Sequence, residues 1–203
     1  MPCPKEITIA VKKSFNAISV DGETSTNDSF IGINSGNKID KKFLSKIQAG
    51  IDIVCQSLAK NIARDGEGAN CLLEVLVEGA KNNSDAIKMA KSICNSSLVK
   101  TAIHGCDPNW GRIISAAGNS GIDFILDIVD LYIGDFQILK KGKLNKYDAN
   151  KVTNYMQTKM NGKYLVEDIV SITLNLNSGT EKGTAWGCDL SKKYVEINSE
   201  YTT

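Results

Sequence analysis

The chain has 203 residues, enough for one sizeable core, and its 42% hydrophobic and 23% charged content is ordinary for a globular protein. Its formal net charge of +1 gives no electrostatic reason to expect nucleic acid or an anionic membrane surface as a partner. The longest apolar runs have the length of strands, so no membrane-spanning segment is predicted. No apolar stretch of the kind found in signal peptides follows the first residues.

The predicted elements of the first 120 residues are mainly helical. In chain order they are a helix at 5–16, a short strand at 29–33, a long helix at 40–63, a buried strand at 72–77, a helix at 85–95, a strand at 98–103 and a helix from Asp107-Pro108 to Gly118. The long helix has an apolar face, which consists of Phe43, Ile47, Ile51, Val54, Leu58 and Ile62. Ser84 is the expected N-cap of the helix at 85–95.

The predicted elements after residue 120 are mainly strands. They are two strands within 122–140 around a turn at Gly134-Asp135, a helix at 147–160, a turn at Asn161-Gly162 and strands at 164–176, 184–190 and 193–198. This mixture of helices and paired strands predicts an α/β fold with mixed sheets. The change in composition also suggests a lobe boundary near residue 120.

The cysteines and the scarce arginines bear on the kind of site to expect. The six cysteines lack Cys-x-x-Cys spacing and the only histidine is His104, so the sequence predicts no metal site. The cysteines are typical of small buried side chains in a reducing compartment, and a cytoplasmic location is expected. The two arginines, Arg64 and Arg112, both lie beside glycine-rich turns, and the planar guanidinium suits bidentate contacts.

The most informative run is Lys100-Thr-Ala-Ile-His-Gly-Cys-Asp-Pro-Asn-Trp-Gly-Arg112. Asp107 could cap the helix that follows and Pro108 suits the first helical position, which would leave backbone donors free to bind a carboxylate that Arg112 could also grip. The alternative is a well-capped helix with Trp110 in the core. His104 could be a general base, but a single histidine beside a glycine is more often structural.

Five segments together resemble the ornithine acetyltransferase (glutamate N-acetyltransferase) family of arginine biosynthesis. They are Val20-Asp-Gly-Glu-Thr-Ser-Thr-Asn-Asp28, Gly66-Glu-Gly-Ala69, Lys100-Thr-Ala-Ile103 with Asp107-Pro-Asn-Trp-Gly-Arg112, Thr184-Ala-Trp-Gly-Cys-Asp-Leu190 and Asn198-Ser-Glu-Tyr-Thr-Thr203. They occur in the family's order and span nearly the whole chain. The chain departs from the pattern at Glu23, where the family usually has aspartate, and at Asn70-Cys71, where it usually has Thr-Lys.

The resemblance implies a fold like that of N-terminal-nucleophile aminopeptidases, with residues 1–203 forming the β-chain part. In this family a precursor cleaves itself, and the new N-terminal threonine carries acetyl from N-acetylornithine to glutamate, with its own α-amine as base. That threonine begins a strand before the helix that corresponds to residues 5–16, and the chain starts Met-Pro-Cys-Pro. We therefore expect the nucleophile upstream of Met1, no catalytic residue in this chain, and no activity of the chain alone.

The family's other site residues can be placed by matching its motifs. Glu67 matches the glutamate that contacts the substrate, while Asn198 and Thr203 match two contacts near the C-terminus. From the local sequence alone, Glu67 would be a solvated acid in a turn, and Asn198 and Thr203 would belong to a frayed tail. The polar run 21–28 could border the site or form an ordered loop.

The expected partners follow from the same resemblance: the α chain of the same precursor, an α2β2 heterotetramer, and the substrates N-acetylornithine and glutamate. No cofactor is expected, although acetyl-CoA could be a co-substrate. Two alternatives remain, an N-terminal-nucleophile aminopeptidase of similar fold and an inactive orphan fragment.

Overall fold

A computed structural model describes residues 4–33, 35–37, 40–160 and 162–200. Its helices and strands are α1 Pro4–Lys12, α2 Leu44–Arg64, β1 Leu72–Ala80, α3 Asn83–Asn95, α4 Ser97–His104, α5 Trp110–Gly118, β2 Asp130–Ile133, β3 Phe136–Lys140, β4 Lys143–Leu144, α6 Ala149–Met160, β5 Ile169–Asn175, β6 Glu181–Cys188 and α7 Lys192–Ser199. Short 3-10 helices lie at Phe15–Ala17, Lys41–Phe43 and Leu126–Ile128.

Six strands form one mixed sheet in the order β4-β3-β2-β5-β1-β6. Strands β1 and β5 are parallel, and the other named pairs are antiparallel. In the middle of the sheet, Leu72 of β1 lies opposite Ile169 on one side and Cys188 on the other. The structure therefore confirms the α/β class with a mixed sheet. Strands from both sides of residue 120 join this sheet, and the lobe boundary near that residue stays a prediction.

One face of the sheet carries the main hydrophobic core. Alternate residues of β1 and β5 point into it, because successive side chains of a strand face opposite sides. Helices α3, α4, α5 and α6 contribute apolar side chains to the same cluster. The completely buried members with large side chains include Leu73, Met89, Ile93, Leu131, Met156 and Ile172.

The other face has a smaller apolar cluster, in which Ala63 of α2 packs with Leu72 and Trp186. Helix α2 lies here against β1 and β6, and its buried residues are the small Cys55, Ala59 and Ala63. The apolar face predicted for this helix is therefore not the one that packs on the sheet. Its larger members Val54, Leu58 and Ile62, together with Ile53, are 49–69% exposed.

Two segments predicted as strands are helices. Residues 98–103 belong to α4, which Ser96 caps by accepting a hydrogen bond from the Val99 N–H at 3.4 Å. Its buried Val99, Ala102 and Ile103 follow helical spacing, and a segment of only six residues does not distinguish this pattern from that of a strand. Residues 193–198 belong to α7, in which no residue is buried.

Three smaller predictions also need correction. Residues 29–33 form no strand and are exposed. Helix α3 is capped by Asn82, whose side chain accepts from the Asp85 N–H, and not by Ser84. Helix α5 begins at Trp110, and its cap is Asn109, since an asparagine oxygen accepts the Arg112 N–H at 3.3 Å. The other predicted helices and strands occur with shifted ends.

Candidate functional site

The loop that carries Glu67 joins α2 to β1, and we call residues 65–71 the Glu67 loop. It contains a tight turn in which the Ala69 N–H donates to the Gly66 carbonyl at 3.0 Å. Arg64 holds the far side of this turn, donating to the carbonyl oxygens of Ala69 at 3.0 Å and Asn70 at 2.9 Å. The same guanidinium pairs with the buried carboxylate of Asp168. Arg64 therefore anchors the loop to the body of the protein.

Glu67 and Asn198 are 131 positions apart in the sequence, and the fold brings them into contact. The side-chain amide of Asn198 donates to the Glu67 carboxylate and also to the Tyr194 carbonyl, the latter at 3.0 Å. Within the described part of the chain, no lysine or arginine forms an ion pair with Glu67. Glu67 is exposed, so its carboxylate is open to a cationic group from solution.

Helix α7 packs so closely on the Glu67 loop that position 68 must be glycine. Gly68 has a φ of +68°, and a Cβ placed there would lie 2.8 Å from both the Lys193 Cβ and the Tyr194 nitrogen. The Ser191 hydroxyl donates to the Gly68 carbonyl at 2.7 Å. These contacts fix the first turn of α7 against the loop, and Asn198 follows at the other end of the same helix.

A buried carboxylate, Asp189, holds the end of the loop from the other side. It follows β6 directly, and its side chain has no solvent exposure. One oxygen accepts from the backbone N–H groups of Asn70 at 2.7 Å and Cys71 at 3.1 Å. The second oxygen accepts from the Asn70 side-chain amide at 2.8 Å and lies 2.9 Å from Nδ1 of His104.

An open cleft of about 410 Å³ lies beside this network. Its lining consists of Gly68, Ala69, Asn70, His104, Ser191, Lys192 and Lys193. The His104 side chain is 38% exposed, so its ring borders solvent in the cleft while Nδ1 faces Asp189. The cleft therefore adjoins the loop on which Glu67 lies and contains several groups able to donate or accept hydrogen bonds.

The remaining sequence candidates lie elsewhere or outside the described residues. Thr203 is not among the described residues, so its predicted contact stays a prediction. Arg112 donates to the Leu98 carbonyl at 2.9 Å and thereby joins α5 to α4. Asp21, at the start of the polar run 21–28, accepts a hydrogen bond from the Tyr194 hydroxyl at 3.4 Å, which brings this run next to α7.

Asp189 is the organising residue that the sequence interpretation did not single out. It lies in the matched segment Thr184–Leu190, but no role was assigned to it. The available signal was its position immediately after a buried strand, where side chains often point into a site. His104 was interpreted as structural, and its contact with Asp189 gives it a defined place beside the cleft.

The described cysteines are free thiols buried in the protein: Cys55, Cys71, Cys94, Cys106 and Cys188. Burial raises the pKa of each thiol above its ordinary value, most strongly for Cys71 and Cys94. Within the described ranges, no group of three or more His, Cys, Asp or Glu side chains could hold a metal ion. In the same ranges, no helix combines the length and apolar character needed to cross a membrane.

Comparison with known proteins identifies the family. The model of the ArgJ family matches residues 4–203. The chain belongs to the ArgJ family. It is 91% identical over 199 residues to the arginine biosynthesis bifunctional protein ArgJ of Prochlorococcus marinus subsp. pastoris and 48% identical over 200 residues to that of Dehalococcoides mccartyi. The match covers 98% and 96% of this chain, respectively, but only 50% and 47% of those proteins.

A solved structure in the ArgJ family has the same fold. The crystal structure of the ArgJ protein of Bacillus halodurans superposes with a TM-score of 0.89 at 40% identity, and the match covers 97% of this chain. It also covers 92% of the Bacillus chain, whereas the present chain spans about half the length of the curated relatives it matches. These findings confirm the predicted family and fold, and they match this chain to about half of an ArgJ protein.

Proposed function

We propose that the chain is the β-chain part of a two-chain acetyltransferase that moves acetyl from N-acetylornithine to glutamate in arginine biosynthesis. The contact between Glu67 and Asn198 carries this proposal, because the fold joins two residues that the family resemblance assigns to substrate binding. The two matched lengths support the two-chain form. The chain corresponds to half of the curated relatives but to almost all of the chain in the Bacillus crystal structure.

The proposed reaction uses a threonine nucleophile that we assign to the part of the relatives outside the match. In the proposed mechanism a threonine hydroxyl, from the part of the relatives that the match does not cover, attacks the acetyl carbonyl of N-acetylornithine. The amide C–N bond breaks, the ornithine amine leaves with a proton, and acetyl remains on the threonine oxygen as an ester. The glutamate amine then attacks this ester, the C–O bond breaks, and the threonine oxygen regains a proton.

Glu67 is the residue of this chain that we assign to the donor. N-acetylornithine keeps a free δ-ammonium group, and an exposed carboxylate that forms no ion pair with a described residue is a suitable partner for it. The amide of Asn198 orients the Glu67 carboxylate by donating to one of its oxygens. Binding of this ammonium group, which is remote from the reacting atoms, would orient the acetyl group for attack by the threonine. Such orientation lowers the activation barrier of acetyl transfer.

The open side of α2 supports an obligatory partner, the α chain of the same precursor. Its apolar ridge, which consists of Ile53, Val54, Leu58 and Ile62, is 49–69% exposed. Contiguous exposed apolar surface of this kind marks an interface. The half of the curated relatives outside the match is the occupant we assign to it. We further propose an α2β2 assembly, a cytoplasmic location consistent with the five free thiols, and acetyl-CoA as a second acetyl donor.

Kinetics of Glu67 variants test the assignment, with the chain produced together with its upstream part. Glu67→Ala should raise KM for N-acetylornithine about tenfold or more, since a charged contact is lost, while self-cleavage continues. Glu67→Gln keeps a carbonyl oxygen for Asn198 but loses the charge, so a similar rise in KM would assign the effect to the charge.

The matched control is Glu196→Gln, an exposed glutamate of α7 that pairs with Lys193 at 3.3 Å. It should leave KM unchanged. Unaltered kinetics of both Glu67 variants would refute the role of Glu67, and absence of any transfer from N-acetylornithine to glutamate by the wild-type assembly would refute the function.

A further inference from the structure

Asp189 is the point at which three separate parts of the chain meet. Its carboxylate follows β6 and accepts from both backbone and side chain of Asn70, from the backbone of Cys71, and from His104 of α4. A carboxylate has about four acceptor positions, so these four donors satisfy it fully. A buried charge is tolerated only when it is satisfied in this way, and loss of one partner affects the others.

The hydrogen-bond network also fixes the orientation of His104. An ionised carboxylate only accepts hydrogen bonds, so the network assigns a proton to Nδ1 of His104, which lies 2.9 Å from Asp189. Both hydrogen-bond contacts of the ring with described residues involve Nδ1, and the His104 side chain is 38% exposed. The ring is therefore held through Nδ1 by the protein, and His104 is also part of the lining of the cleft.

Asn70 connects Asp189 to the Glu67 loop. Its N–H is held by Asp189 and its carbonyl by Arg64, so its peptide groups are fixed from two directions. Glu67 lies three residues earlier, in the turn closed between Gly66 and Ala69. A change at Asp189 would free the C-terminal end of this turn while the Arg64 contacts remain.

We propose that Asp189, with His104 as its partner on α4, is a positioning residue for the acetyl donor. It fixes the Glu67 loop so that the Glu67 carboxylate is preorganised for the substrate ammonium group. This inference rests on the proposed function for the identity of the ligand. Its effect should fall on substrate binding, because Asp189 is buried and acts through the loop.

Variants of both residues test the proposal in the enzyme assembled with its upstream part. Asp189→Asn replaces one acceptor by an amide donor that faces the donors of Asn70 and His104. It should raise KM for N-acetylornithine about tenfold and change kcat less than about twofold, since the unsatisfied donors loosen the loop and not the chemistry. His104→Leu, which removes one donor, should raise KM by about threefold.

Two controls separate positioning from general stability. His104→Asn retains a donor nitrogen bonded to Cγ, as in histidine, so it should restore a KM near that of the wild type. Asp130→Asn removes another carboxylate that accepts several hydrogen bonds, including the Lys141 N–H at 2.8 Å. Asp130 pairs with Asn175 at the end of β5 remote from the Glu67 loop, so its variant should lower the melting temperature without raising KM.

Amide hydrogen exchange gives a readout that does not depend on the reaction. Exchange at residues 66–71 should accelerate in Asp189→Asn and His104→Leu, and remain as in the wild type in His104→Asn and Asp130→Asn. Equal KM changes in Asp189→Asn and Asp130→Asn, or unchanged exchange at 66–71 in Asp189→Asn, would overturn the positioning role. Failure of the wild-type assembly to transfer acetyl would instead overturn the proposed function, and the exchange data would still decide the role of Asp189.

Discussion

The two faces of the sheet differ in how completely they are covered. One face packs against α3 and α6, with α4 and α5 adding to the same core, and its large side chains, such as Leu73 and Ile172, have no exposed surface. The other face is covered in part by α2, which contributes only small residues to a cluster around Leu72 and Trp186. Helix α2 turns its larger apolar residues away from the sheet.

This difference means that one face of the sheet is covered within the chain, whereas the outer side of the helix on the other face is left open. Buried apolar area stabilises a fold by about 25 cal/mol per Å² removed from water, so the covered face supplies most of the stability. The ridge of α2 gains this stabilisation only when another surface covers it. Helix α2 is also the element that leads into the Glu67 loop, so a partner on α2 would lie near the candidate site.

A cavity in the covered face should have the largest effect. Ile172 lies on β5 between β2 and β1 and is completely buried, so Ile172→Ala should lower the free energy of unfolding by about 3 kcal/mol. Val54→Ala on the ridge should change it by less than about 0.5 kcal/mol in the chain alone. Urea unfolding followed by circular dichroism measures both values. Equal losses would mean that the ridge is buried in the isolated chain and that the two faces do not differ.

Charges on the ridge should affect assembly and leave the fold intact. The double variant Val54→Lys, Leu58→Lys should weaken association with the proposed α chain by about tenfold or more, because apolar side chains at the proposed interface are replaced by charges that must be desolvated. Co-purification of the upstream chain from the self-cleaved precursor measures this loss.

The control for the ridge is Leu144→Lys on β4. Leu144 is also an exposed apolar residue, at 59%, but β4 forms the edge of the sheet opposite to β6. This variant should retain the upstream chain. Equal retention by the ridge variant would exclude α2 as the docking surface.

The sequence predicted the elements well where the periodicity was long, and failed where it was short. The 21-residue α2 and the strand β1 were recognised from their patterns, since several turns or alternations were available. Residues 193–198 were predicted as a strand, but they form part of α7, whose first turn packs on Gly68. That contact joins positions distant in sequence, which local patterns do not reveal.

The candidate site could be predicted only in part for a similar reason. Family motifs identified Glu67 and Asn198, and the structure places their side chains in contact. Asp189 lies within a matched motif, but its role depends on contacts with residues 70, 71 and 104, which are distant from it in the sequence. No local sequence pattern predicts these contacts. The sequence also did not predict that the apolar face of α2 points away from the sheet. A helical pattern shows that one face of a helix is apolar, but it does not show which surface covers that face.

The buried thiols offer the smallest and most local test of the difference between the two faces. Burial raises the pKa of Cys94, which lies in the covered core, and that of Cys55, on the sheet side of α2, where the charge of Asp52 contributes further. A raised pKa keeps the thiols neutral in the folded chain. Their contribution to the free energy of unfolding is therefore complete below the pKa of an unfolded thiol, about 8.5, and it is lost as the pH rises above that value.

At pH 8, iodoacetamide should therefore modify Cys55 before Cys94 in the isolated chain, because α2 is the less covered element and opens more readily. Mass spectrometry of peptides at increasing times measures the order of modification, and the urea-unfolded chain provides the reference in which both thiols react alike. Binding of the upstream chain should slow the reaction of Cys55 and leave that of Cys94 unchanged. Modification of Cys94 as fast as Cys55 in the folded chain would contradict the distinction between a closed and an open face.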